Sequence, residues 1–337
     1  MSVRVAVIGA GVMGADHARI LAVDLPVAEL RVVCDADPAR AEAVAEVCGA
    51  GEVDSDPEAV IARNDVDAIL IASSDPTHAR LALACIAVGK PVLCEKPLAP
   101  TTPECLEVIA AEVQAGRRLV QVGFMRRFDP SYSAMKSVLQ AGEIGRALMM
   151  HNFHRNLEAP EWFTASMAIT NSAPHEFDAA RFVLGGEIVT ISAFQPRREG
   201  SGVPPVLMVL ETDDSQLVSI EVNNTAGYGY DVRGELVGER GSVSLNASVP
   251  VRVNYDLMSA ERYPADWRPR FAEAYRLQDM AWLRAVESGK PCAVGASAWD
   301  GYCATAIAEA GATALASGKK MVVDLAEKPA LYARLAE

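Results

Sequence analysis

The feature that most constrains what this chain folds into is Gly9-Ala10-Gly11-Val12-Met13-Gly14. It follows the strand-like run Val3-Arg4-Val5-Ala6-Val7-Ile8 and opens a helical pattern over Val12–Val23. Three glycines at this spacing mean little alone; between a strand and a helix each has a physical task. The first permits the tight turn, the second lets backbone approach a pyrophosphate, and the third lets the helix pack closely on the strand. The helix N-terminus adds N–H donors and a partial positive charge. Asp35 stands 21 residues after Gly14, at the end of the next apolar run, Leu30–Cys34. A carboxylate there accepts hydrogen bonds from adenosine ribose hydroxyls and repels a 2′-phosphate, which favours NAD over NADP. Ala36 follows it, and the nearest downstream basic side chain for a 2′-phosphate is Arg40. The plainer reading is a glycine turn followed by an ordinary surface Asp.

The rest of the first 120 residues repeats the strand–helix alternation. Ala68–Ala72, Pro91–Cys94 and Leu119–Val122 are further apolar runs. Helical stretches start at Pro38, run over Pro76–Val88 to a stop at Gly89, and cover Pro103–Ala115. Strands apolar throughout, alternating with helices, predict a parallel sheet covered on both faces. After Gly123 the pattern changes: Pro130–Gln140 reads as helix, Ala147–His154 as strand, and Ile188 to about Val253 as strands following strands. Turns at Asp213-Asp214 and Gly238–Gly241 punctuate this region, and helices over Phe271–Glu287 and Trp299–Ala316 close the chain. The expectation is an α/β protein, with a Rossmann NAD-binding domain over 1–123. An α+β domain over 124–337 carries a large, mostly antiparallel open sheet.

A chain of 337 residues suits two domains, and its net charge of −13 argues against gripping a nucleic-acid backbone. No run of 18 uncharged apolar residues predicts a membrane span, and Met1 leads directly into a strand with no signal-peptide pattern. Seven cysteines with no CxxC spacing indicate reduced thiols in a cytoplasmic protein, and no metal site is expected.

Cys94-Glu95-Lys96-Pro97 ends one of the buried strands, at the sheet edge where ligands of open α/β sheets bind. A lysine beside the positively charged nicotinamide suits proton transfer, although a loop lysine in solvent is as good a reading of position alone. Gly9–Gly14, Ser73-Ser74-Asp75-Pro76-Thr77-His78 and Glu95-Lys96-Pro97, in this order, resemble the Gfo/Idh/MocA oxidoreductase family. Gly123-Phe124-Met125-Arg126-Arg127-Phe128-Asp129, His154-Arg155-Asn156, Gly227–Asp231 and Ala298-Trp299-Asp300-Gly301-Tyr302 resemble its inositol dehydrogenase branch. The resemblance covers almost the whole chain. It implies NAD-dependent oxidation of a ring hydroxyl of myo-inositol, or of a related cyclitol or sugar, to the ketone, by a homotetramer built through its sheets. It implies that Lys96 touches the reacting hydroxyl, and that Glu95 and Ser73 lie along the nicotinamide half, with His78 in the same cleft. His154, Asn156 and Tyr230 fall where substrate hydroxyls are held, and Arg127 reaches toward them or forms a salt bridge. Tyr228 and Tyr230 include candidates for plain core residues.

The family places an Asp four residues before a helix-start His. Here His175 keeps its place while Asn171 stands at the Asp position. Asn hydrogen-bonds but brings no charge to stabilise an imidazolium. Three readings are open: an enzyme working through Lys96 and His175 without the carboxylate, an enzyme for an amino- or keto-cyclitol or another sugar, or an introduced Asp-to-Asn change. A catalytically impaired NAD-binding protein is the alternative from another class. Of the other histidines, His17 is expected to pack or face solvent, and His151 to alternate away from His154.

Overall fold

The computed structural model describes residues 2–197, 202–245 and 252–333. It divides into two compact units. The first contains the described residues within 1–125, 274–305 and 326–337, and the second those within 126–273 and 306–325. The first stretch of the first unit ends close to the change of pattern at Gly123, and two C-terminal stretches belong with it.

The first unit is a doubly wound sheet. Its strands are β1 (Val3–Ile8), β2 (Ala28–Cys34), β3 (Glu52–Asp54), β4 (Ala68–Ile71), β5 (Val92–Cys94) and β6 (Val120–Val122). Between them run α1 (Val12–Arg19), α2 (Pro38–Cys48), α3 (Pro57–Ala62), α4 (His78–Ala87) and α5 (Thr102–Ala115). The order is β6-β5-β4-β1-β2-β3, all parallel, and the short Ala296–Ser297 strand adds antiparallel to β6. The strand order reverses between β1 and β4, which opens a crevice at their carboxyl ends. Local chemistry fixes the helix starts. Asp37 accepts from Ala39 N–H ahead of Pro38, and Thr101 with Glu104 forms a capping box ahead of Pro103. The helical pattern over Val12–Val23 is observed as α1 running into a wider π-helical turn, Ile20–Asp24.

The second unit is built on a larger sheet. It comprises α6 (Pro130–Gln140), β7 (Ala147–Arg155), α7 (Ala165–Met167), α8 (Pro174–Leu184), β8 (Ile188–Phe194), β9 (Val206–Thr212), β10 (Leu217–Asn223), β11 (Asp231–Gly238) and β12 (Ser242–Ser244). The order is β12-β11-β7-β10-β9-β8, closed at the far edge by the Met321–Val322 strand. β10 pairs parallel with β7, and the remaining pairings are antiparallel. Strand alternation gives one buried face, with Met150, Met208, Leu210, Val218, Ile220 and Leu236 in the core. The other face is open and leaves Phe194, Leu207 and Leu217 exposed. A separate exposed hairpin, Arg252–Tyr255 with Met258–Glu261, was not anticipated as such. The expected β region from Ile188 to Val253 includes 198–201 and 246–251, which lie outside the described residues. The last long helices are Arg268–Ser288 and Ala298–Ser317. Among the described residues no helix is long and apolar enough to cross a membrane, and no group of three or more metal-ligating side chains forms. None of the seven cysteines is joined in a disulfide.

Candidate cofactor and substrate sites

In the first unit the glycine turn is as tight as its residues allow. Gly9 adopts φ +99°, and a Cβ there would sit 2.4 Å from the Ala72 carbonyl oxygen just beyond β4. A Cβ on Gly14 would lie 1.7 Å from the Gly9 carbonyl oxygen, so only glycine lets α1 pack on this turn. Gly11 differs: a Cβ would meet nothing within 4 Å. Its side-chain position therefore opens onto space at the N-terminus of α1, flanked by exposed Val12 and half-buried Met13. That opening is the cradle a pyrophosphate needs, so these residues fit the cofactor.

Asp35 ends β2 with two backbone commitments. Its Oδ2 accepts from Ala10 N–H at 2.7 Å and its Oδ1 from Asp37 N–H at 2.9 Å. The same carboxylate that suits a ribose therefore also holds the glycine turn. Arg40 stays exposed, 3.7 Å from Asp35 Oδ1.

Ser73 follows β4, and its hydroxyl hydrogen-bonds with that of Thr77 at 2.6 Å. His78 is buried, with Nδ1 2.7 Å from the Pro97 carbonyl oxygen and Nε2 3.1 Å from that of Ser73. Its ring ties the Ser73 segment to the Lys96–Pro97 segment. Glu95 is buried at the end of β5, where its Oε2 accepts from the Lys96 N–H at 3.2 Å. Lys96 itself is half-buried.

His17 packs, one of the two roles expected of it, and does so between two carboxylates. It is fully buried, with Nε2 3.0 Å from Glu95 Oε1 and Nδ1 2.8 Å from Asp279 Oδ2. Burial disfavours the charged imidazole, but the two carboxylates overcome it and raise its pKa from 6.5 to about 10. Nothing in the local sequence signals this, because Asp279 lies 262 residues away.

In the second unit, His154 and Arg126 share one carboxylate. His154 Nδ1 lies 3.0 Å from Glu176 Oε1, and Arg126 Nη1 pairs with Glu176 Oε2. All three side chains are buried. Burial opposes ionisation of Glu176, yet Arg126 and His154 hold its carboxyl below the usual carboxylate value. Tyr230 packs edge-on against His154 and Phe271, and burial pushes its phenol up to about 12. Tyr228 is exposed and donates to Asp231 Oδ2 at 2.7 Å. Arg127, expected either to reach toward substrate or to form a salt bridge, commits Nε and Nη2 to the buried carboxylate of Asp178, at 2.9 and 2.6 Å. Asn156 follows β7 with its N–H on the Asn223 carbonyl at 2.9 Å and its side chain half-buried. His151 faces the other side of the strand, 2.7 Å from Ser219 Oγ.

His175 is the second residue of α8 and is half-buried, and Asn171 is exposed in the π-helical turn Ala168–Ser172 just before it. Asn224 Nδ2 donates to Ser172 Oγ at 2.8 Å and fixes that turn to the sheet. Glu176 and Arg126 were not singled out from the sequence. Their signals were adjacency to His175 and membership of the Gly123–Asp129 motif.

A parallel sheet with a glycine turn and a strand-end carboxylate at its switch point defines a dinucleotide-binding protein of the Rossmann class. Residues 3–124 match the oxidoreductase family with the NAD-binding Rossmann fold, GFO_IDH_MocA, and residues 132–244 match the GFO/IDH/MocA C-terminal domain. The chain belongs to this family and is an NAD-dependent oxidoreductase. It is 49% identical to inositol 2-dehydrogenase 2 of Saccharopolyspora erythraea over all of both chains. It is 42% identical to inositol 2-dehydrogenase of Streptomyces avermitilis, covering 97% of this chain and 96% of that one. Among solved structures, myo-inositol dehydrogenase from Lactobacillus casei, in complex with NAD(H) and myo-inositol, matches with a TM-score of 0.94 at 31% identity. That match covers 98% of this chain and 100% of that one.

Proposed function

We propose that this protein oxidises a ring hydroxyl of myo-inositol, or of a closely related cyclitol or sugar, to the ketone. Full-length identity of 49% to a protein named inositol 2-dehydrogenase carries the reading. NAD, when bound, supplies the hydride acceptor. Gly9, Gly11, Val12, Met13 and Gly14 cradle its pyrophosphate, Asp35 takes the ribose hydroxyls, and Ser73 and Glu95 line its nicotinamide half. His78 serves the same site by tying Ser73 to the Lys96 segment.

Lys96 is the residue that touches the reacting hydroxyl, and His175 takes its proton. Asn171, at the position of the family's Asp, does not offer His175 the negative charge that would stabilise an imidazolium. His154 and Asn156 hold other ring hydroxyls. Glu176 fixes the His154 ring through Nδ1, and Tyr230 and Arg127 brace that side of the site. The first unit serves as the cofactor domain and the second as the substrate and oligomerisation domain. The open sheet face carrying Phe194 and Leu207 suits a homotetramer of a cytoplasmic enzyme.

The test is NADH formation from a panel of inositols, aminocyclitols and sugars across pH, with the native chain and with Asn171→Asp. Myo-inositol or a near relative should be turned over, and Asn171→Asp should raise kcat or move the limb of the pH profile set by the basic group. NAD binding without turnover of any polyol would establish the impaired-binder reading instead. Turnover confined to an amino- or keto-cyclitol would shift the substrate to the class that Asn171 favours.

A further inference from the structure

The segment Glu95-Lys96-Pro97 is anchored by a side chain that the proposed chemistry does not use. His17 lies in α1, six residues after Gly11, and is 0% exposed. Its two ring nitrogens face opposite partners, Glu95 Oε1 at 3.0 Å and Asp279 Oδ2 at 2.8 Å. Tyr275 packs edge-on against the ring, with centroids 5.6 Å apart. Glu95 is confined from further directions. Its Oε2 accepts the Lys96 N–H, and a Cβ at Gly123 would lie 2.7 Å from its Oε1. The helix that follows the glycine turn, the end of β5 and the C-terminal helix Arg268–Ser288 thus meet at one buried carboxylate–imidazole–carboxylate chain.

Such a chain is a poor device for stability alone. Buried ionic groups replaced together by apolar side chains of similar volume often cost nothing. What the imidazole provides, and an apolar side chain cannot, is a fixed direction for the Glu95 carboxylate. We propose that His17, held by Asp279, is a positioning residue: it orients Glu95 and, through the Glu95–Lys96 backbone contact, the lysine that serves the reaction. The inference rests on the reading that Lys96 touches the reacting hydroxyl.

The experiment compares His17→Gln, Asp279→Asn, Lys96→Ala and the His17→Gln/Lys96→Ala double variant of the full chain. It reads kcat and KM with myo-inositol, NADH affinity by fluorescence titration, and Tm. Misplacement of a catalytic group from a distance costs up to about a hundredfold, so His17→Gln should lower kcat by roughly tenfold to a hundredfold. KM should change only a few-fold, and Asp279→Asn, which leaves His17 an acceptor, should lose less. In the Lys96→Ala background, His17→Gln should change the residual rate by no more than about twofold, because residues acting through one group are not additive. Equal fold losses in both backgrounds, or an undiminished kcat in a folded His17→Gln protein, would overturn the proposal. If Lys96→Ala alone keeps the native kcat, it is the Lys96 reading that fails, and this is seen without reference to His17. If His17→Gln does not fold, Asp279→Asn in the two backgrounds makes the same comparison, with a loss that should vanish when Lys96 is absent.

Discussion

The three glycines of the first turn should separate cleanly when each is replaced by alanine. At Gly14 the new Cβ would fall 1.7 Å from the Gly9 carbonyl oxygen and 2.8 Å from its carbonyl carbon. Comfortable packing of heavy atoms is ~3.5 Å, so the start of α1 has to retreat by about 1.8 Å from the β1 turn. Overpacking of this kind costs about 1–3 kcal/mol, and here the obstacle is backbone, which yields least. Gly14→Ala should therefore lower Tm by several degrees and weaken NAD binding along with it. At Gly11 the result should be the reverse. The φ of −71° is open to alanine and the Cβ meets nothing. Reduced unfolded-chain entropy adds about 0.4–1 kcal/mol of stability, and loss of a favourable N-cap residue offsets part of it. The net change in stability should stay within about 1 kcal/mol. NAD affinity should nonetheless fall by about tenfold or more, ~1.4 kcal/mol, because the methyl group fills the pyrophosphate cradle. Thermal melts and NADH fluorescence titrations on the two variants measure both quantities. A Gly11→Ala protein that binds NADH as the native chain does would refute the cradle, and a Gly14→Ala protein with native Tm would refute the packing argument.

Asp35→Ala should weaken NAD and narrow its preference over NADP, as read from the two KM values; a native chain that uses both cofactors equally well would contradict the role given to Asp35. Glu176→Gln leaves the buried Arg126 without its counter-charge, which should cost about 3–5 kcal/mol in denaturant titrations and raise the KM for inositol as His154 loses its anchor. His17 gives a pH signature of definite sign. Its folded pKa of about 10 lies above its unfolded value, so its contribution is complete below pH ~6.5 and is lost as pH rises toward ~10. Tm should decline across that alkaline window in the native chain, and this part of the decline should be missing in His17→Gln; parallel Tm–pH curves would argue against an imidazolium at this position.

The legible parts of the molecule were those whose signal is local. Apolar runs such as Ala68–Ile71 and the proline-started helices at Pro38 and Pro130 read directly, because periodicity and capping are set within a few residues. Two-residue strands such as Ala296–Ser297 and Met321–Val322 were not legible, since pairing partners from distant chain define them and they have no period of their own. The same limit governs the candidate sites. Gly9, Gly11, Gly14 and Asp35 form a fixed-spacing motif, whereas His17 depends on a carboxylate far along the chain. Arg127 shows the same limit from the other side: its motif position left both a reach toward substrate and a salt bridge open, and only three-dimensional packing identifies Asp178 as the partner of its guanidinium.

Each unit places the residue to which we assign a chemical role in the same way. Lys96 directly follows Glu95, and His175 directly precedes Glu176; both glutamates are buried. Each glutamate is matched by a buried cationic side chain, His17 in the first unit and Arg126 in the second, and a further polar partner completes the set, Asp279 or His154. A carboxylate out of water is tolerated only with its partners in place, and removing one leaves an uncompensated charge. The backbone carrying it therefore has few alternatives of comparable energy. Placing the proposed chemical residue one position from such an anchor fixes its backbone while its side chain, half-buried in both cases, can still face a ligand. Asn171 fits this division. Asn in place of the family's Asp at a solvent-exposed turn leaves the Glu176 anchor intact, so its effect should fall on the proton transfer proposed for His175 and not on the architecture that holds it.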